Sequence, residues 1–481
     1  VRMIYNTFER SDSMSNKDTD NKIEIRSPID NEVLGTVPAM TKQQVDEKIE
    51  ESRREFAEWK SIPLYEKADR INKVADLLLE HIDELSALLM KEIAKDEKSA
   101  RSEVSRTADF IRFTTDIAKS MQGEAIQSDR FPGFGQDKLS MVTRVPLGVV
   151  LAISPFNYPV NLAASKIAPA LVGGNTVVFK PATQGALSGV YLANLFYKAG
   201  IPEGALTVIT GKGSEIGDYV VTHKDIDFIN FTGSTEVGKH ISEITSMVPV
   251  MMELGGKDAA IVLKDADLDL AAKNIVAGGY SYSGQRCTAV KRILVDETIA
   301  DTLVEKMKVL IEQLKSGNPS EKDVTIVPLI SDKAADFVWG LIEDALKKGA
   351  TLITGGERSG NLITPTLFDH VTTDMRIAWE EPFGPVLPVI RVKSVEEAIE
   401  IANQSDYGLQ SAVFTQNIND AFSLADKLEV GTVQINNKTE RGPDHFPFLG
   451  VKSSGLGTQG IRYSIETMTR PKATVINLSR H

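Results

Sequence analysis

The feature that most constrains this fold is an alternation of strand and helix that begins at Val149. Val149–Ile153 is a continuous apolar run followed by a helical stretch closing at Gly173-Gly174. The runs Thr176–Phe179, Leu206–Ile209 and Asp227–Phe231 each lead into another helical stretch, ending near Gly200 or starting at Ser214 and Thr235. Strands separated by helix-length connections cannot pair as hairpins. They are expected to form a parallel, doubly wound sheet with right-handed crossovers, covered on both faces. The expected fold class is therefore α/β. Ahead of this unit, apolar residues recur at three- and four-residue intervals from Thr41 to Lys95, and a further helix is expected from Lys98 to Met121, carrying Arg106. After Leu254-Gly255-Gly256-Lys257 the pattern restarts, with a helix over Leu268–Ala277, a strand over Val290–Val295 and a long helix from Ile299 to Leu314. This reads as a second α/β unit ending near Gly450. Leu139–Val145 and the tail Ala473–Leu478 read as strands without a hairpin partner, suited to pairing across subunits or to a plain sheet edge.

A doubly wound sheet binds its ligands beyond the carboxyl ends of its strands, so the loops at Ser154–Pro159, Lys180–Gln184, Thr210–Gly213 and Thr232–Ser234 carry the information. Gly233-Ser-Thr-Glu-Val-Gly238-Lys239 fits the first part of a P-loop, but His240 stands where a magnesium-binding hydroxyl is required, and the loop follows the fourth strand of its unit. Nor is it the Gly-x-Gly-x-x-Gly dinucleotide fingerprint. Helix-terminal amides near Gly233 and Ser234 remain suited to a pyrophosphate.

Cys287, the only cysteine among 481 residues, lies in Ser281-Tyr282-Ser283-Gly284-Gln285-Arg286-Cys287-Thr288. It cannot form an intrachain disulfide; it is either a small buried hydrophobe or a free reactive thiol. The adjacent Arg286 guanidinium is expected to favour the thiolate. Glu253, in Met251-Met252-Glu253-Leu254, puts a carboxylate at an apolar strand end, where it is costly unless it acts as a general base or is ion-paired. Asn157, after Pro155-Phe156, offers an amide that can hold an oxyanion or cap a turn. Arg106 by itself reads as a solvated surface charge.

Composition narrows the partners. A net charge of −12 argues against a nucleic-acid or anionic-membrane surface. No apolar run approaches a membrane span, and the start of the chain lacks the order of a signal peptide, so a cytoplasmic protein is expected. Six histidines without ligand-like spacing give no expectation of a metal. The polar, aperiodic start is expected to be a mobile extension, with order beginning near Lys22.

Taken in order, Pro155-Phe156-Asn157, Phe179-Lys180-Pro181, Phe231-Thr232-Gly233-Ser234, Glu253-Leu254-Gly255-Gly256-Lys257, Gly284-Gln285-Arg286-Cys287 and Glu381-Pro382-Phe383-Gly384-Pro385 resemble the aldehyde dehydrogenase superfamily. Within it the chain looks most like the non-phosphorylating glyceraldehyde-3-phosphate dehydrogenases, through Arg441-Gly-Pro-Asp-His-Phe-Pro-Phe-Leu-Gly450 and Ser454-Gly-Leu-Gly-Thr-Gln-Gly-Ile461. The resemblance implies that Cys287 attacks the aldehyde, that Asn157 and the Cys287 amide hold the oxyanion, and that Glu253 activates water to release the acid. No histidine in the cysteine motif suggests the Cys–His pairing of phosphorylating enzymes.

The same resemblance implies a substrate site of Arg106, Asn157, Tyr158, Arg286, Cys287, Thr288 and Arg441, in which the arginines and the tyrosine hold a phosphate. For the cofactor it implies Phe156, Lys180, Thr183, Asp218, Gly233, Ser234, Val237, Leu254, Glu381 and Phe383. Thr183 stands where NAD-preferring relatives often carry a glutamate. With Lys180 positive, NADP is favoured and NAD remains possible, Asp218 pulling the other way. The implied organisation is an N-terminal extension (1–21), a Rossmann-type cofactor domain (22–135 and 147–256), a catalytic domain (257–450) and an oligomerisation arm with a C-terminal strand (136–146 and 451–481), assembled as a homotetramer. A dehydrogenase for a small unphosphorylated aldehyde (lactaldehyde, glyceraldehyde or succinate semialdehyde) and a catalytically silent member of the fold are the alternatives.

Overall fold

The computed structural model describes residues 21–478. The expected mobile extension thus lies almost entirely outside the described residues. Three sheets organise the rest.

The first sheet has the strand order Leu206–Val208, Thr176–Lys180, Val149–Ile153, Phe228–Thr232, Val250–Glu253, Gly455–Leu456. The first five are parallel; Gly455–Leu456 runs antiparallel beside Met252 and Glu253. In chain order the parallel strands read 3-2-1-4-5, so the order reverses between Val149–Ile153 and Phe228–Thr232, and a crevice opens beyond their carboxyl ends. Apolar side chains fill both faces, because helices lie on each side. Asn161–Val172 is buried on all its faces: it touches the helices Glu97–Ser120 and Ile461–Thr467 as well as the sheet. A helix apolar all round can only be an inner layer.

The second sheet has seven strands, in the order Thr351–Thr354, Thr366–Asp369, Val386–Val392, Arg292–Asp296, Ala259–Val262, Gln410–Phe414, Thr432–Ile435. All pairs are parallel except the first. The cysteine loop leaves the helix Leu268–Tyr280, which packs against Ala300–Ile311.

The third sheet pairs the two strands that had no hairpin partner with each other and leaves Thr469–Asn477 at a sheet edge. Thr469–Asn477 pairs antiparallel with Lys138–Pro146 of the same chain, Thr469 opposite Pro146 through to Asn477 opposite Lys138. Two segments more than three hundred residues apart meet, a contact no local pattern encodes. Two boundaries also shift. Glu124–Gln127, placed above with the cofactor domain, joins this arm sheet, and Gly455–Leu456, placed with the arm, joins the first sheet. Among the described residues no helix is long and apolar enough to cross a membrane, and no cluster suited to a metal ion occurs.

Candidate active site

A cleft of about 770 Å³ opens at the crevice of the first sheet and runs to Cys287. Its size is in the range of small-molecule and cofactor sites. All ten residues proposed for the cofactor line it: Phe156, Lys180, Thr183, Asp218, Gly233, Ser234, Val237, Leu254, Glu381 and Phe383. Asn157 and Cys287 line it too. At one wall the helix Thr235–Ile244 starts, with the Ser234 side chain accepting from the Val237 amide. At another wall Lys180 is buried, and burial alone, with no carboxylate beside it, brings its ammonium down to about 8. Asp218 faces the same space with its carboxylate against His240 Nε2 at 2.9 Å. A buried ammonium with no ion-pair partner among the described residues, lining the same cleft as the start of a helix, suits a phosphorylated dinucleotide.

The cysteine loop is strained and firmly tied. Tyr282, Ser283 and Gly284 have φ of 51°, 54° and 70°, a left-handed run that side chains rarely adopt. At Gly284 a Cβ would also lie 2.4 Å from the Gly384 carbonyl oxygen, so glycine is required. Three side chains hold the loop: Tyr282 Oη donates to Ile93 O at 3.0 Å, Ser283 Oγ donates to Val327 O at 2.8 Å, and Gln285 Oε1 accepts from the Ile330 amide at 3.0 Å. Asn157 Nδ2 donates to Gln285 O at 3.0 Å, which fixes the amide beside the cysteine. Lys291 Nζ donates to Cys287 O and to Glu381 Oε1, joining the nucleophile's loop to the Glu381 wall.

The sequence expectation is that Arg286 favours the Cys287 thiolate, and the structure gives its guanidinium another partner. Arg286 turns back to donate to the Gly278 carbonyl, and burial, followed by the Glu253 charge, pushes the Cys287 thiol up to about 11.

Glu253 is ion-paired. Its Oε1 accepts from Arg441 Nη1 at 2.8 Å and its Oε2 from Thr232 Oγ1 at 2.9 Å. Thr232 in turn accepts from Lys166 Nζ at 2.6 Å, and burial brings Lys166 down to about 8. Arg441 also donates to Gln459 Oε1 at 2.8 Å. Arg106, far from being a solvated charge, donates to both oxygens of Asp444 at 2.7 and 2.8 Å and to Arg441 O at 2.7 Å. Arg106 and Arg441 are thus brought together, with Asp444 between them. Tyr158 packs edge-on to Tyr282, with ring centroids 6.2 Å apart. Arg286 keeps a buried Nε without a partner, and Thr288 is buried, its carbonyl accepting from Thr439 Oγ1 at 2.9 Å.

Sequence reasoning missed Asp444, Lys166, Thr232 and Lys291. Lys166 carries the clearest signal, a lone charge inside the apolar helix Asn161–Val172; Asp444 sits within the Arg441–Gly450 phrase.

Comparison with known proteins gives a consistent result. Residues 15–474 match the aldehyde dehydrogenase family. The chain is 56% identical over 459 residues to an NADP-dependent glyceraldehyde-3-phosphate dehydrogenase of Streptococcus equinus, covering 95% of this chain and 96% of the relative. It is 51% identical over 458 residues to the enzyme of the same name from Triticum aestivum, covering 95% and 92%. Its fold matches, with a TM-score of 0.95 and 56% identity, the crystal structure of NADP-dependent glyceraldehyde-3-phosphate dehydrogenase from Bacillus halodurans C-125 complexed with NADP, covering 96% of this chain and 97% of that one. On its strand order, its cysteine loop and these matches, the chain belongs to the aldehyde dehydrogenase family.

Proposed function

We propose that this chain oxidises D-glyceraldehyde 3-phosphate irreversibly to 3-phosphoglycerate with NADP, without inorganic phosphate. The observation that carries this reading is one continuous cleft joining the unpaired Lys180 ammonium to Cys287 and Asn157. The names of the relatives at 51–56% identity support the substrate and the cofactor.

In this mechanism Cys287 Sγ, as thiolate, attacks the aldehyde carbon to form a hemithioacetal. Asn157 Nδ2 and the Cys287 amide stabilise the oxygen that gains charge. NADP, when bound, supplies the two-electron acceptor that takes the adduct carbon to the thioester level. Lys180 would hold the cofactor's ribose phosphate, Gly233 and Ser234 its pyrophosphate, and Glu381 and Phe383 its nicotinamide end, all from positions that line the cleft. Glu253 then takes a proton from water, which attacks the thioester carbonyl; the C–S bond breaks and the acid leaves. Arg106, Arg286, Arg441 and Tyr158 bind the substrate phosphate. Of the three arginines, Arg106 and Arg441 are joined through Asp444, and guanidinium groups that converge on one pocket let an acidic protein bind a dianion. Arg106 and Arg441 are held by Asp444 and Glu253, so phosphate binding exchanges one set of anionic partners for another.

The three structural units follow the three sheets. The arm sheet exposes Ile126, Met141, Val475 and Ile476, an apolar surface that supports assembly into a homotetramer. Membership of the family supports a cytoplasmic site of action.

The test is the initial rate of NADPH formation from D-glyceraldehyde 3-phosphate without phosphate or arsenate, repeated with NAD and with unphosphorylated glyceraldehyde. Fast, phosphate-independent turnover that prefers the phosphorylated aldehyde and NADP is expected. Turnover confined to neutral aldehydes would keep the chemistry and remove the substrate.

A further inference from the structure

One buried ion pair takes no part in the mechanism above. Lys95 and Glu103 have wholly inaccessible side chains and are joined at 2.5 Å. Burying two charges is costly, so such a pair stabilises little by itself and its placement needs another reason. Each partner has further contacts. Lys95 Nζ also donates to Asn157 O at 2.7 Å. Glu103 Oε1 accepts from the amides of Val160 and Asn161 at 2.9 and 3.0 Å. The five-residue segment 157–161 is therefore gripped at both ends by one pair of charges. The Lys95 ammonium lies 3.5 Å from the centroid of the Tyr158 ring and 4.6 Å from that of Tyr282, the first left-handed residue of the cysteine loop. Ala94, just before Lys95, has a φ of 49°, a strained conformation that aims the next side chain inward.

We propose that Lys95 and Glu103 are positioning residues for the oxyanion amide: they set the register of Asn157 and Tyr158 against the cysteine loop. The inference rests on the role given to Asn157 above. Neither charge touches substrate or cofactor. The ammonium fixes the backbone oxygen of Asn157 while the side-chain amide of the same residue meets Gln285 O, so the residue is held from both sides. The cation between Tyr158 and Tyr282 ties the two loops through their aromatic faces.

A structural pair and a positioning pair differ in what neutralisation does. Lys95→Met alone strands the Glu103 carboxylate and should lower Tm. Lys95→Met combined with Glu103→Gln removes both charges and keeps an acceptor for the Val160 and Asn161 amides, so Tm should recover. The Asn157 carbonyl has still lost its donor, and kcat should stay depressed about tenfold or more, with KM for NADP unchanged. A doubly substituted protein whose kcat returns with its Tm would overturn the proposal. If the double variant does not fold, Lys95→Gln, which retains a shorter donor, is compared with Lys95→Met at a temperature where both are folded: higher kcat in Lys95→Gln is expected, and equal loss overturns the proposal. Asn157→Ala is measured alongside. Unchanged turnover there would remove the oxyanion role itself, whereas loss there with full activity in the double variant removes only the positioning role.

Discussion

Cys287 is the residue whose environment departs furthest from what its neighbours suggest. Burial, followed by the Glu253 charge, pushes its thiol up to about 11, so the neutral thiol predominates at pH 7 even though the side chain lines the cleft and is only partly buried. The thiolate is the nucleophile, so alkylation by iodoacetamide should be slow at neutral pH and accelerate about tenfold per pH unit to beyond pH 10. A plateau below pH 9, followed by mass spectrometry of the Cys287 peptide, would show that a cation reaches the sulfur after all. Arg286 is not that cation, since it is held by the Gly278 carbonyl, whereas the Lys291 ammonium, on the Cys287 carbonyl, lowers the thiol only in part.

At the scale of elements, the joint between the arm and the first sheet depends on Asn175. This buried side chain accepts from the Leu147 and Gly148 amides at 2.8 and 3.0 Å and donates to Ala170 O and Met468 O at 3.1 and 2.8 Å. It satisfies backbone groups at the end of the arm strand, at a helix terminus and before the C-terminal strand. Asn175→Ala takes the side-chain partner from the Leu147 and Gly148 amides and from Met468 O, while Ala170 O keeps the Asn175 backbone amide, and the expected cost is about 3 kcal/mol. Thermal unfolding should shift down by several degrees; an unchanged Tm would mean that water takes over those bonds. The elements themselves were largely legible in the chain. Val149–Ile153 and its successors stand within a residue or two of their expected limits, because an apolar run flanked by turn residues is a local signal. Their partners were not, and Thr469–Asn477 found Lys138–Pro146 only through the tertiary fold.

For the whole molecule, the C-terminal strand is the informative surface. Thr469–Asn477 is exposed along nearly its whole length, and Val475, Ile476 and Leu478 are apolar. A thin three-stranded sheet with apolar residues in water is expected to be covered by other copies of the chain. Val475→Asp with Ile476→Asp should lower the sedimentation coefficient at micromolar concentration while leaving the circular dichroism spectrum intact. An unchanged sedimentation profile would place the assembly surface elsewhere.

The sequence by itself determined the α/β class and the strand–helix order, and its family resemblance named residues that gather around the cleft; of these Phe156, Asn157, Lys180, Thr183, Gly233, Ser234 and Leu254 stand at or just beyond strand ends of the first sheet, whereas Asp218 and Val237 lie on helices. Strand ends are dictated by local pattern, and a parallel sheet sends them all to one side. Only the tertiary structure decided who pairs with whom. Arg441 meets Glu253 across 188 residues, Arg106 meets Asp444 across 338, and Lys95 reaches the carbonyl of Asn157. Coulombic and hydrogen-bonding partners are set by distance in space, and Glu253, which the chain alone left open as a general base or an ion-paired carboxylate, is paired with Arg441 once folded. The upward push on the thiol has the same origin, because the partial burial of Cys287 and the nearby Glu253 charge belong to the assembled site and not to the residue next door.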